Sequence, residues 1–156
     1  VVIYTGTYDA WGSTMDRAPD QAHYRKWLGV MLDRCRKRSI SVVLATPAVM
    51  GEYHKKTNKR DALIDSYAKI NRELAKEYGA TLCDLRKEFR DRLPIHNPAD
   101  RQLGAFTRDM IKMNTRGHRL LADCFGQAIT QAAHTRFAAS QSKLSTKTPP
   151  TPKKEK

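Results

Sequence analysis

No apolar run in this sequence approaches the ~20 residues that a helix needs to cross a bilayer. The opening Val1-Val2-Ile3-Tyr4 has neither the charged start nor the cleavage site of a secretory leader. The expectation is a chain that neither spans a membrane nor is addressed to one, with its compartment left open. Cysteine is sparse: Cys35, Cys83 and Cys124 stand far apart, without a C-x-x-C pair, and each lies in an apolar stretch. They read as small buried hydrophobes, not as a disulfide framework or a zinc site. The strong catalytic signatures are also missing. There is no G-x-S-x-G elbow, no G-x-x-x-x-G-K-[ST] phosphate loop, no H-E-x-x-H and no G-x-G-x-x-G. Metal and nucleotide enzymes are therefore disfavoured, and no metal or cofactor is expected.

Acidic residues are in short supply, with 16 Asp+Glu against 29 Lys+Arg and a net charge of +13. Such a balance attracts anionic surfaces and ligands through a long-range, salt-screened field, without naming a partner. Five lysines against Glu155 after residue 138 leave +4 there and +9 in residues 1–138. The clusters Arg34, Arg36, Lys37, Arg38 and Lys55, Lys56, Lys59, Arg60 fall at a helix end and in a loop, where solvation and a favourable helix C-terminus account for them. No RNA- or DNA-binding motif accompanies them.

What is present is enough for one packed domain: 156 residues, 40% of them hydrophobic. Residues 1–5 are a β-branched run closed by Gly6, read as a strand buried on both faces with a turn directly after it. In residues 19–38, Tyr24, Trp27, Leu28, Met31, Leu32 and Cys35 recur on one helical face. Residues 40–45 form a second strand, ended by Thr46-Pro47, and the polar residues 51–60 a surface loop. A helix over 61–78 carries Tyr67, Ile70, Leu74 and Tyr78 on its apolar stripe and stops at Gly79. Residues 80–83 give a third strand, 84–92 a short helix and 94–108 an irregular loop. The last helix, 117–135, has Leu120, Leu121, Cys124, Phe125, Ala128 and Ile129 inward and Asn114 or Thr115 as cap. From about residue 139 the chain turns Ser/Thr/Pro/Lys-rich and is expected to be a disordered basic tail, so the domain is residues 1–138. No internal repeat is present.

Alternating strands and helices predict an α/β fold with a parallel sheet covered on both faces. Ligands of such sheets bind at the carboxyl ends of the strands. The segments that matter are therefore Gly6-Thr7-Tyr8-Asp9-Ala10-Trp11 after the first strand, the loop after Thr46, Asp84 onward, and Thr107-Arg108-Asp109-Met110-Ile111-Lys112-Met113-Asn114 before the last helix.

Taken together, these segments resemble the SGNH (GDSL-type) hydrolases, esterases and lipases on a three-layer, flavodoxin-like parallel sheet. Gly6-Thr7-Tyr8-Asp9 is similar to the family's Gly-x-Asn-Asp block, and Asp109-Met110-Ile111-Lys112 to its Asp-x-x-His block. Val42-Val43-Leu44-Ala45-Thr46-Pro47, Tyr67-Ala68-Lys69-Ile70-Asn71 and Leu82-Cys83-Asp84-Leu85-Arg86-Lys87 resemble the strand, helix and strand between them. The resemblance covers about residues 1–130 and lies in the order of five segments. It implies acyl transfer to water through a serine, a histidine base, an orienting aspartate and an oxyanion hole. Small-molecule or carbohydrate esters are the implied substrates.

Carried over by position, Asp109 is the triad acid, Lys112 stands at the histidine and Tyr8 at the oxyanion-hole asparagine. Gly6, Asp9 and Trp11 are the implied substrate-side residues. Lysine with its ordinary pKa of ~10.4 is protonated at neutral pH, and a neighbouring carboxylate favours that cation, so Lys112 is a poor base. The family's first two blocks, which hold the nucleophilic serine, precede the third and have no counterpart here. The expectation is thus a domain without its N-terminal strands, with impaired catalysis: a pseudoenzyme or fragment. Ser13 reads as a loop or helix-entry serine, and His118 as a helix-start residue. His23, His54, His96 and His134 receive no role. Asp9 is read on its own as a helix-entry hydrogen bonder, Asn71 as a satisfied polar link, and Trp11 either lines an acyl pocket or packs a loop onto the sheet. The rival is a non-catalytic basic module that holds nucleic acid or an acidic partner.

Overall fold

The computed structural model describes residues 1–12, 19–55, 58 and 60–145. Its elements are β1 (Val2–Tyr4), α1 (Thr7–Gly12), α2 (Gln21–Lys37), β2 (Val43–Ala45), α3 (Asp61–Tyr78), β3 (Thr81–Cys83), α4 (Leu85–His96) and α5 (Thr115–Ser145). The three strands form one parallel sheet in the order β1-β2-β3, with Val2, Ile3 and Tyr4 opposite Val43, Leu44 and Ala45, which in turn face Thr81, Leu82 and Cys83. Side chains alternate along each strand. Leu44, Ile3 and Leu82 join one apolar cluster with Tyr24, Leu28 and Leu32 of α2 and Ile64, Tyr67, Ile70 and Leu74 of α3. Val43, Ala45 and Cys83 join the other, with Phe89 of α4 and Leu120, Cys124 and Ala128 of α5. The result is the three-layer α/β/α arrangement that the alternating pattern predicts.

The helix stripes are narrower than their sequence periodicity. On α2 the i, i+4 row Tyr24, Leu28, Leu32 is buried, with Gly29 beside it, while Trp27 and Met31 stand at the margin and are exposed. Asp20 caps α2 by accepting from the His23 N–H at 2.8 Å, and its other oxygen meets His23 Nδ1 at 2.8 Å. His23 is thus paired with a carboxylate after all. Asn71 is the polar link expected of it: its Oδ1 accepts from the Tyr24 hydroxyl at 3.0 Å and its Nδ2 donates to the Ala45 carbonyl at 2.7 Å, tying α2, α3 and β2 together.

Four boundaries differ from the sequence reading. Residues 7–12 form a short helix, not a turn alone. α4 runs through Pro94 to His96, the proline costing its ladder one hydrogen bond near the helix end. β2 begins at Val43, and Ile40 is exposed. α5 continues through residues 139–145, past the expected domain limit, since Ala139, Ser140 and Gln141 are compatible with helix once it has started. The remainder of the expected tail, 146–156, lies outside the described residues, as does Ser13. All three cysteines are free; Cys83 and Cys124 are buried as expected, whereas Cys35 is only partly so. Burial pushes the Cys83 thiol up to about 12, so it stays protonated and unreactive.

Asp84 joins the third strand to α4. It caps the helix, accepts from the Thr46 hydroxyl and takes two Arg72 hydrogen bonds, both at 2.9 Å. Burial raises its pKa, but the Arg72 contacts, the Lys87 N–H and Thr46 lower it further, so the carboxyl titrates below its ordinary value. A carboxylate depressed in the folded state contributes stability that is complete above the unfolded value of ~3.9 and is lost as pH falls through the folded one. Asp84→Asn keeps a capping oxygen but has no charge to titrate. Thermal melts of D84N are therefore expected to show a shallower loss of Tm than wild type between roughly pH 5 and pH 2.5; parallel losses would refute this assignment.

β1 is an edge strand, with Val2 and Tyr4 each partly exposed. A groove of about 580 Å³ beside it is lined by Val1, Val2, Val43, Ile129, Ala133 and Phe137, bringing β1 and the C-terminal half of α5 into one apolar surface. An open strand edge next to apolar area favours self-pairing. Sedimentation velocity is expected to show self-association between micromolar and millimolar chain, weakened by Phe137→Glu. A monomer across that range, or an indifferent F137E, would argue against it.

Candidate active site

The carboxyl end of β1 turns into α1 at Gly6, whose φ of +105° is a conformation L side chains rarely adopt. A Cβ there would also stand 2.9 Å from the Tyr24 hydroxyl and 3.2 Å from Pro47. The Gly6 N–H donates to Asp9 Oδ2 at 2.9 Å, and the Thr5 hydroxyl donates to the same oxygen at 3.0 Å. Asp9 thus reaches back from the first turn of α1 to its entry, the reciprocal half of a capping box. Both Gly6 and Asp9 are engaged within the turn, which is the helix-entry reading of Asp9. Tyr8, by contrast, is 69% exposed at the start of α1. Trp11 is half-buried in the apolar cluster of α2 and α3, with the Arg60 guanidinium 5.9 Å from its ring, and packs a loop instead of lining the cavity described below.

The second segment is a tight turn before α5. Thr107 and Met113 form an antiparallel bridge, and the Arg108 N–H donates to the Lys112 carbonyl at 2.8 Å. Inside this turn Asp109 Oδ1 accepts from the N–H of Lys112 at 2.8 Å and of Ile111 at 3.3 Å, and Lys112 Nζ lies 3.3 Å from Asp109 Oδ2. Chiefly through the Lys112 N–H, these contacts hold the Asp109 carboxyl below its usual range. Asn114 caps α5: its Oδ1 accepts from the Gly117 N–H at 3.0 Å.

These two segments meet. A cavity of about 380 Å³ lies between them, bounded on one side by Tyr4, Gly6 and Tyr8 and on the other by Arg108, Lys112 and His118. Tyr8 and Lys112 therefore line one cavity at the carboxyl end of β1, while Asp109 is outside its lining and reaches it only through its contact with Lys112. Among the described residues lining the cavity there is no serine; the hydroxyls are those of Thr5, Thr7 and the tyrosines. No cluster of metal-ligating side chains occurs among the described residues.

What holds the second segment in place was not visible in the sequence. Residues 51–60 read as a surface loop, yet Gly51 and Glu52 are buried, Glu52 fully. Its Oε1 accepts from the N–H groups of Phe106 (2.7 Å) and Thr107 (2.5 Å) and from the Thr107 hydroxyl (2.8 Å), while Oε2 accepts from the Ala105 N–H at 2.7 Å. The Glu52 N–H donates to the Gln102 carbonyl and the Gly51 N–H to that of Met110. A buried carboxylate is tolerated because each oxygen is met by donors, two of the three backbone ones on Oε1. The only sequence signal is a lone acid in a strongly basic loop. Next to it, His54 Nδ1 lies 3.1 Å from Asp100 Oδ1, a second pairing that the sequence reading did not assign.

Comparison with known proteins bears on the family and the fold. The chain matches the model of the GDSL-like Lipase/Acylhydrolase family over residues 1–120, and it belongs to that family. Among solved structures it is similar to the acetyl xylan esterase AlAXEase, at 32% identity and a TM-score of 0.80, over 83% of this chain and 66% of that one. It is also similar to LAE5, an alpha/beta hydrolase enzyme from the metagenome of Lake Arreo, Spain, at 25% identity and a TM-score of 0.70, over 82% and 58%. Axe2, an acetylxylan esterase from Geobacillus stearothermophilus, shares the fold at 20% identity and a TM-score of 0.70, over 83% of this chain and 58% of its own. The chain thus spans less than two thirds of the length of these structures. A search of curated protein sequences found no match.

Proposed function

We propose that this chain carries the ester-hydrolase site of the GDSL family, for small-molecule or carbohydrate esters, in a form whose acyl chemistry is impaired. The observation that carries the reading is the Asp109–Lys112 pair. At the position of the family's base stands an ammonium group with three donors and no acceptor, 3.3 Å from the acid that would orient a histidine. A protonated lysine so placed has no lone pair with which to take a proton from a nucleophile. Tyr8 at the oxyanion position keeps a hydroxyl donor, but on an exposed, longer ring. The acetyl xylan esterases among the similar structures support a carbohydrate acyl ester as the class of substrate.

The test is hydrolysis of p-nitrophenyl acetate by the 156-residue chain. The expected rate equals that of the same chain with Lys112→Met, because Lys112 performs no proton transfer. Turnover at an enzyme-like rate that is abolished by a serine-directed phosphonate would overturn the impaired reading.

A further inference from the structure

The cavity's charge does not match a neutral acyl ester. Arg108 and Lys112 lie on one wall, His118 beside them, and Asp9 is the single carboxylate among the lining residues. Asp9 Oδ2 is already engaged by the Gly6 N–H and the Thr5 hydroxyl. Lys112 is held to Asp109 by an exposed contact, with 63% and 48% of the two side chains accessible. Pairs of that kind are weak, and the ammonium is free to turn toward a ligand. The guanidinium of Arg108 makes no ion pair among the described residues, although 16 acidic residues are distributed over the chain. Two tyrosines also line the cavity, Tyr8 exposed and Tyr4 braced edge-on against Phe125 of α5 with ring centroids 5.7 Å apart. Cations and aromatic rings lining one cavity are the chemistry that recognises a small ring bearing a carboxylate: the guanidinium and ammonium take the anion, and the rings cover the apolar face of the sugar.

We propose that this cavity binds an acidic monosaccharide unit of the uronate class, through Arg108 and Lys112, with the sugar ring against Tyr8. The inference rests on the site placement under Proposed function, and it deepens that reading by giving the carbohydrate a negative charge. It does not depend on turnover. The lysine that disables the base is, in this view, a carboxylate ligand. About 380 Å³ is at the small end of the range for small-molecule sites, consistent with one sugar unit.

The test is calorimetric and NMR titration of the 156-residue chain with D-glucuronate and with D-glucose at equal ionic strength, alongside Arg108→Gln, Lys112→Gln and the double variant. Both side chains are exposed, so the variants should fold, and circular dichroism checks that they do. Glucuronate is expected to bind at least tenfold more tightly than glucose, each single variant to lose threefold or more, and the double variant to lose the preference. Equal affinity for the two sugars, unchanged affinity in the double variant, or displacement of glucuronate by an equal concentration of sulfate would each overturn the proposal. The esterase measurement is separate: enzyme-like turnover would defeat the impaired reading and leave glucuronate binding to stand or fall by itself.

Discussion

Glu52→Ala is expected to lower folding stability by about 3–5 kcal/mol. Truncation leaves the N–H groups of Ala105, Phe106 and Thr107 and the Thr107 hydroxyl without their acceptor in a site from which solvent is excluded. Each unsatisfied buried donor costs roughly 1–3 kcal/mol, partly relieved where water enters the space the side chain vacates. Glu52→Gln separates the two oxygens. An amide oxygen can replace Oε1 and keep three of the four bonds, but its NH2 then faces the Ala105 N–H, donor against donor. E52Q is therefore expected to cost about 1–3 kcal/mol, less than E52A. Chemical denaturation measures both, and hydrogen exchange should speed up first at Ala105–Thr107. An E52A protein within about 0.5 kcal/mol of wild type would show that the loop is not held this way.

That prediction also shows where a sequence stops being legible. The βα units could be read because their signals are local: β-branched runs for β1 and β2, i, i+4 rows for α2 and α3, Gly79 at a helix end. The family blocks could be read because each is a short contiguous string. The clamp joins residue 52 to residues 105–107, and no local pattern encodes a contact across more than fifty positions. α1 escaped for a related reason, since six residues span fewer than two helical turns and show no period. The expected loop starts at Pro94, yet α4 carries through it to His96, since losing one ladder hydrogen bond near a helix end does not by itself stop the helix. Trp27 and Met31 fit the periodic stripe of α2 but not the narrower strip that α3 covers, because periodicity gives a direction and not a width. At the site, the sequence placed Tyr8, Asp109 and Lys112 by analogy. The cavity that Tyr8 and Lys112 share, and the engagement of Gly6 and Asp9 within their own turn, required coordinates.

Gly117→Ala offers a sharper test of the same assembly, because helix propensity and packing predict opposite signs. Alanine in place of glycine within a helix ordinarily gains up to about 1 kcal/mol. At Gly117, in the first turn of α5, a Cβ would fall 2.2 Å from the Phe106 carbonyl oxygen, 2.9 Å from Met113 Sδ and 3.1 Å from Met113 Cβ. A backbone oxygen cannot swing aside as a side chain can, and this one also accepts the Asn114 N–H at 2.8 Å. α5 must therefore move away from the turn that carries Asp109 and Lys112, and overpacking of this kind costs about 1–3 kcal/mol or more, net of the propensity gain. Gly126, exposed on the same helix with nothing within 4 Å of its would-be Cβ, isolates the propensity term. G126A should stabilise by a few tenths to about 1 kcal/mol while G117A destabilises, and equal signs for the two would refute the close approach. Phe106 links the two predictions, since its N–H is held by Glu52 and its carbonyl abuts Gly117. Once E52A has released the strip, the Phe106 carbonyl can yield to a Cβ at residue 117 at lower cost. The double variant E52A/G117A is therefore expected to lose less than the sum of its single losses, by about 0.5–3 kcal/mol of coupling, whereas E52A/G126A should be additive.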